Sequence, residues 1–195
     1  MKLYSAIDLH SNNSVLVILD ENDKVVHKHR YPNELPVILA HLAPYKKRMQ
    51  AIAVESTYNW YWLVDGLMEA GYTVKLVNTV AVKIYDGLKH TDDEDDARHL
   101  AHLLRLGLLP TGHIHPKEER SVRDLLRKRT QLVRHRTMHI LSVKNLVLRN
   151  SSKSISVDAV RKLDEDALDL ICAGNNSLIL AIKSSLAVLR CLDEQ

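Results

Sequence analysis

Hydrophobic and polar residues alternate along the first thirty positions in a pattern typical of β-strands. Residues 3–9, 14–19 and 24–31 are rich in strand-forming side chains, and the polar stretch 20–23 has the length of a hairpin turn. We therefore predict three antiparallel strands that follow one another as a meander.

Between residues 32 and 106 the hydrophobic spacing switches between the helical and the strand period. The predicted elements are helices at 32–45, 60–70, 79–88 and 93–106 and strands at 50–55 and 72–77. A meander followed by this alternation predicts an α/β fold: a five-stranded mixed sheet flanked by helices, in the ribonuclease-H-like layout.

The remainder of the chain is predicted to be helical. Residues 116–149 contain a partial helical stripe and, after the proline at 116, no proline or glycine, which predicts a helix of roughly 50 Å at ~1.5 Å per residue. A break at 151–156 and two further helices at 157–173 and 176–192 follow. We predict a nuclease-fold domain over 1–150 that ends in the long helix, and a coiled-coil-like helical region over 151–195.

The composition indicates an intracellular protein. No apolar run approaches the ~20 residues needed to cross a bilayer. Asp8 stands where a secretory signal would need apolar residues, and Cys172 and Cys191 are isolated, as reduced thiols are. We expect a cytoplasmic protein with no membrane partner.

Positive charge is concentrated in the long helix. Residues 117–153 hold eleven Lys and Arg against three acids, a local net charge of +8 within a total of +3, so the rest carries −5. This asymmetry indicates an anionic partner such as a nucleic acid, although a solvated helix face is the alternative. The candidate phosphate-binding residues are Lys117, Arg120, Arg123, Arg127, Lys128, Arg129, Arg134 and Arg136.

Two acids lie on predicted strands, and each follows a small side chain on the same strand face. Asp8 shares its strand face with Ala6, and Glu55, at the end of the fourth strand, shares its face with Ala53. Small side chains let a helix or a phosphate approach closely. Because the two strands are neighbours in the predicted sheet, we expect the two carboxylates to meet.

A second acidic feature opens the predicted helix at 93–106. Asp93 and Asp96 are three residues apart and share a helix face. Carboxylate oxygens suit Mg²⁺, and two such ions can stabilise the attacking and leaving oxygens of a phosphodiester displacement. The alternatives are acids that match the helix dipole and a strand-end Glu that is simply solvated.

At these residues the sequence resembles the DEDD transposases of the Piv-like, insertion-sequence 110 family. The basic stretch 122–127 also resembles the family. The matching stretches are Ala6-Ile7-Asp8-Leu9-His10, Ala53-Val54-Glu55-Ser56-Thr57, His90-Thr91-Asp92-Asp93-Glu94-Asp95-Asp96-Ala97-Arg98 and Leu104-Arg105-Leu106-Gly107-Leu108-Leu109-Pro110.

The resemblance implies a RuvC-like domain in which four acids bind Mg²⁺. In this sequence they are Asp8, Glu55, Asp93 and Asp96, with Asp92 as a possible stand-in for Asp93. It also implies recombinases that excise and insert mobile DNA, guided by a structured RNA that the element encodes.

The chain departs from the family's pattern at its end. Family members are longer, and a serine in a separate C-terminal domain attacks the DNA. Nothing after Ser151 resembles that domain, and Ser177, Ser184 and Ser185 have no matching context. We expect a truncated coiled-coil region.

The tail and the histidines leave alternatives open. Apolar stripes in the tail predict helices that pair across subunits, as a dimer or tetramer, or that pack on the first domain of the same chain. His90, His99 and His102 surround the acidic cluster, so zinc is an alternative metal, and His10 either packs or joins the Asp8 site.

The leading hypothesis is a transposase catalytic portion acting in Mg²⁺-dependent DNA strand cleavage and exchange. The first alternative is a non-catalytic fragment that binds nucleic acid and dimerises. The second is a stand-alone Holliday-junction-type resolvase that uses the four acids and an activated water.

Overall fold

A five-stranded mixed sheet is the centre of the N-terminal part of the chain. Its order is β3-β2-β1-β4-β5. The pairs β1–β2 and β2–β3 are antiparallel, whereas β1–β4 and β4–β5 are parallel. The strands are β1 (Leu3–Leu9), β2 (Asn13–Asp20), β3 (Val25–Pro32), β4 (Met49–Glu55) and β5 (Val74–Val77).

The structure is a computed structural model of the 195-residue chain. It describes residues 1–88 and 93–195, and side chains outside 86–95. The chain divides into two compact units, Met1–Ile114 and His115–Gln195. The first unit contains the sheet and the second is helical.

Helices cover both faces of the sheet. One face packs on α1 (Leu35–Leu42) and α2 (Tyr61–Glu69) through a core of large aliphatic side chains. The other packs on α3 (Asp93–Leu106) through a core rich in alanine. Alternation along the strands produces these two faces. The predicted ribonuclease-H-like α/β fold is confirmed.

One predicted α-helix of this unit has a different form. The stretch predicted as a helix at 79–88 is a 3-10 helix over Val82–Leu88. The side chain of Asn78 accepts hydrogen bonds from the backbone N–H groups of Val80 and Ala81, at 3.2 and 3.1 Å. This turn occupies the residues where the predicted helix would begin.

The second unit is built on the long helix α4 (Lys117–Ser151), whose 35 residues span about 52 Å at ~1.5 Å each. It ends where Ser152 takes a left-handed conformation, with φ of 54°. The C-terminal half of α4 packs against α5 (Val157–Arg161), α6 (Glu165–Cys172) and α7 (Asn176–Asp193). The apolar stripe of the tail is therefore buried within this unit.

The single helix predicted at 157–173 is wrong, because the chain forms two helices there. The Asp164 side chain accepts a hydrogen bond from the backbone N–H of Ala167 at 2.8 Å and so caps the start of α6.

Packing also groups α4 with the tail helices. The functional domain boundary near 150 stays a prediction.

Within the described ranges, every helix is too short or too polar to span a bilayer.

Candidate active site

Asp8 is an acid held inside the sheet. It lies near the end of β1, is only 3% exposed, and sits two residues after the fully buried Ala6 on the face that packs on α3. A buried carboxylate is costly unless a cation or a hydrogen bond compensates its charge. The fold therefore presents a desolvated carboxylate toward α3.

The strand register brings Glu55 beside Asp8. In the parallel pair β1–β4 the last matched residues are Ile7 and Val54, and the next residue on each strand is an acid. Neighbouring strands lie about 4.8 Å apart. The two strand acids therefore lie side by side on neighbouring strands, and that their carboxylates form one site stays a prediction.

Asp96 reaches the same edge of the sheet from α3. Glu55, Asp96 and His99 line a cavity of about 50 Å³, whose other walls are Val77, Thr79, Val82 and Leu100. Asp8 is not among the described residues that line it. The side chain of Asp93 and the whole of Asp92 lie outside the described residues, so the choice between them as the third acid stays a prediction.

Alanines allow α3 to lie close to the sheet. Ala6 and Ala53 on the strands and Ala97 and Ala101 on the helix are all fully buried in one cluster. A methyl group at each position leaves little space between helix axis and sheet. Asp96 adjoins Ala97, so this packing determines how near its carboxylate comes to Glu55.

A hydrogen-bonded turn holds His10 next to Asp8. The His10 Nε2 atom lies 3.3 Å from Asp8 Oδ2. The backbone carbonyl of His10 accepts hydrogen bonds from the amides of Asn33, at 2.9 Å, and Asn59, at 3.3 Å. Neither asparagine was a sequence candidate, and both position the loop that flanks the buried acid.

A second group of charged side chains ties α3 to the β2–β3 hairpin. Asp20 closes the hairpin turn by accepting from the backbone N–H groups of Asn22 and Lys24. Asp23, at φ of 68°, then points its Oδ1 at His102 Nδ1, 2.7 Å away, and at Arg105 Nε, 3.0 Å away. The hairpin thereby fixes the outward face of α3.

The Asp23 carboxyl is stabilised in its charged form. Burial alone would raise its pKa, but the hydrogen bond and charge of His102, followed by those of Arg105, outweigh burial and lower the pKa below its usual value. A lowered pKa contributes stability above the unfolded-state pKa, and this contribution is lost as pH falls through the folded-state value.

Replacing Asp23 by Asn is expected to lower the free energy of unfolding by about 1–2 kcal/mol at neutral pH, because charged hydrogen bonds are lost at a partly exposed site. Asn also tolerates a positive φ, so the turn is retained. Urea unfolding at pH 7, 5, 4 and 3 measures the effect. The difference from wild type should persist at pH 5, begin to shrink near pH 3.9, the ordinary unfolded-state pKa, and be lost as pH falls through the lower folded-state value.

Asp169→Asn is the control for this substitution, since Asp169 is exposed on α6. It should change stability by less than about 0.5 kcal/mol. A difference for Asp23→Asn that grew between pH 4 and pH 3 would contradict the assigned ion pairs.

The donor set of this site fits a divalent cation of the hard class. The described donors are carboxylates from two adjacent strands and from the helix above them. Mg²⁺ takes oxygen ligands of this kind and keeps several waters. Like charges this close repel one another, and a bound cation offsets that repulsion.

The candidate phosphate-binding residues of α4 differ in their exposure. Arg123 and Arg136 are partly buried, and Arg136 pairs with the Asp193 carboxylate. Arg120 is only 8% exposed, and its Nε donates to the carbonyl of His115 at 2.9 Å, so it stabilises the start of the helix. The exposed members are Lys117, Arg127, Lys128, Arg129 and Arg134.

In the sequence, His99 is part of the zinc alternative together with His90 and His102. His102 instead contacts Asp23, and His90 lies outside the described residues. The spacing of Asp96 and His99, three residues apart, was the signal that both share one helix face.

Comparison with known proteins identifies a family. A family model described as a transposase, of the DEDD type of insertion sequence 110, matches residues 6–150. No match was found among curated proteins. Among solved structures the chain is similar to the large terminase nuclease from thermophilic phage G20c, with 13% sequence identity and a TM-score of 0.36.

That structural match covers 56% of this chain and 57% of the terminase nuclease, so this chain spans little more than half of the length of the terminase nuclease. At such a TM-score the likeness supports no inference. The family match, in contrast, covers the residues of the candidate site: it includes both strand acids and the acidic start of α3. Matched over residues 6–150, the chain belongs to the insertion-sequence 110 family of DEDD transposases.

Proposed function

We propose that this chain is the catalytic portion of a transposase that cleaves and exchanges DNA strands of a mobile element in a Mg²⁺-dependent reaction. The observation that carries the proposal is the convergence of acids on one end of the sheet: Asp8 and Glu55 lie at the carboxyl ends of adjacent parallel strands, and Asp96 lines one cavity with Glu55. Family membership supports the transposase class.

The four acids share one role in this proposal. Asp8, Glu55, Asp93 and Asp96 would hold the cations, two in number. Bound Mg²⁺ supplies Lewis-acid stabilisation of the attacking and leaving oxygens of the phosphodiester. Burial of Asp8 limits the hydration of its carboxylate, and the close packing of α3 holds Asp96 in place.

Incubating the purified chain with branched DNA and with element-end DNA, with Mg²⁺ or with EDTA, tests the proposal. Metal-dependent cuts in element-end DNA support it. Cuts confined to branched DNA support the resolvase alternative, and binding without cleavage supports the non-catalytic alternative. A covalent protein–DNA adduct would require a serine that the sequence does not identify.

The non-catalytic alternative rests on a separate observation, the exposed surface of α4. Its N-terminal half carries exposed cations together with exposed apolar residues, among them Leu125 at 68% and Leu126 at 58% exposure. Cations on one helix suit phosphate backbones, and exposed leucines suit a protein partner. We include in the proposal a homo-oligomer (dimer or tetramer), a structured guide RNA and a cytoplasmic location.

Replacing Arg127, Lys128 and Arg129 together by Ala is expected to weaken DNA binding and to flatten its salt dependence. Each phosphate contact contributes about 0.9 to the slope of log K against log salt, so losing three contacts reduces the slope by up to about 2.7. Fluorescence anisotropy with duplex DNA over a salt series measures this slope.

The matched control replaces Lys46, Lys47 and Arg48 by Ala, which removes the same three charges at exposed positions of the first unit. This variant should keep the wild-type slope to within one contact. Equal slopes for the two triple variants would show that net charge, and not the α4 surface, governs binding.

A further inference from the structure

The two described histidines of α3 have different surroundings. His102 contacts Asp23 of the β2–β3 hairpin. His99, one turn earlier, lines the cavity that Glu55 and Asp96 also line, and its Nε2 atom is fully buried. The rotation of α3 about its axis therefore directs one imidazole outward and the other to the acids.

The size of this cavity restricts what it can hold. Its volume is about 50 Å³. A water needs at least about 10–15 Å³ of such space, so the cavity has room for an ion with a few waters. The described side chains that bring polar atoms to it are the carboxylates of Glu55 and Asp96, the imidazole of His99 and the hydroxyl of Thr79.

An imidazole changes which cation such a centre prefers. Carboxylate and water oxygens suit both Mg²⁺ and Mn²⁺, whereas imidazole nitrogen is a ligand for transition metals and Mg²⁺ prefers oxygen. A set with two carboxylates and one nitrogen should favour Mn²⁺ over Mg²⁺ relative to an all-oxygen set.

We propose that His99 is a nitrogen ligand of the cation held by Glu55 and Asp96, and that it biases this centre toward Mn²⁺. The proposal rests on the metal centre of the proposed function. Among the described residues, the ligand atoms of these three side chains do not all lie within 4.8 Å of one another. Binding therefore draws the imidazole and the carboxylates together.

The experiment is pulsed electron paramagnetic resonance of Mn²⁺ bound to the full chain. A directly coordinated imidazole produces a ¹⁴N coupling, which carboxylates and water do not. The coupling should be present in the wild-type protein and absent in His99→Gln. Calorimetric titration should show that His99→Gln weakens Mn²⁺ binding about tenfold or more and Mg²⁺ binding by a smaller factor.

Two other histidines supply the control variants: His102 lies on the same helix, and His10 lies next to Asp8. His102→Gln should keep the coupling, because His102 contacts Asp23. His10→Gln should also keep it. Circular dichroism with thermal melting identifies a variant that fails to fold; His99→Asn then replaces His99→Gln.

The outcomes separate this inference from the proposed function. Mn²⁺ that binds without ¹⁴N coupling, or a coupling that is lost only in His10→Gln, overturns the role of His99 and leaves the acidic centre intact. A folded wild-type chain that binds neither cation contradicts the metal centre itself, and the inference falls with it.

Discussion

Replacing Asp8 by Asn is expected to reduce metal-dependent DNA cleavage by about 10³-fold or more. Bound cations provide several kcal/mol of transition-state stabilisation, and each 1.36 kcal/mol is worth about a factor of ten in rate. Asp8 is buried beside the strand that Glu55 ends, so its carboxylate is held at a fixed place in the centre.

The same substitution should leave the protein folded, and in EDTA it should raise the free energy of unfolding by about 1 kcal/mol. A buried carboxylate is costly without a cation, and the neutral amide of Asn removes that charge while keeping the size of the side chain. Function and stability are thus expected to change in opposite directions.

Three measurements on one preparation test this result: the cleavage rate with Mg²⁺, urea unfolding in EDTA, and the melting temperature with and without metal. A ligand that binds the folded state raises the melting temperature, and Asp8→Asn should lose this rise. Asp169→Asn, at an exposed position of α6, should behave as wild type in all three. Cleavage within tenfold of wild type would exclude Asp8 from the centre.

Replacing Ala101 by Leu is expected to lower the free energy of unfolding by about 1–3 kcal/mol and cleavage by about 10²-fold. Ala101 is fully buried between α3 and the sheet, beside Ala6 and Ala53. A larger side chain overpacks this layer and moves the helix outward. A misplacement of about 1 Å can cost 10²-fold in rate, and Asp96 moves with the helix.

Ala181→Leu is the matched control, because Ala181 is exposed on α7 and receives the same added atoms. It should change stability by less than about 0.5 kcal/mol. Urea unfolding and the DNA cleavage assay measure both variants. If Ala101→Leu retained stability and activity, the alanine layer would not be what positions Asp96.

Much of the first unit could be predicted because the relevant patterns are local. Alternation along β1 places Asp8 and Ala6 on one face, and the same rule places Glu55 with Ala53 on β4. The long helix followed from its lack of internal proline and glycine. These features depend on neighbours a few residues away, which the sequence displays directly.

Other features depended on side chains acting across the fold or at element ends. The break within 157–173 lies at a capping aspartate, Asp164, whose effect competes with a helical apolar pattern. Arg120 resembled its cationic neighbours in sequence, but the structure buries it against the His115 carbonyl. A charge count does not distinguish such cases.

The sequence by itself determined the strand and helix periods, the order of the acids and their family. Tertiary structure decided the parallel register that sets Asp8 next to Glu55, although more than forty residues separate them. It also decided that His99 faces the acids while His102 contacts Asp23. The physical reason is that periodicity arises within one element, whereas register and helix rotation are fixed only when separate elements pack.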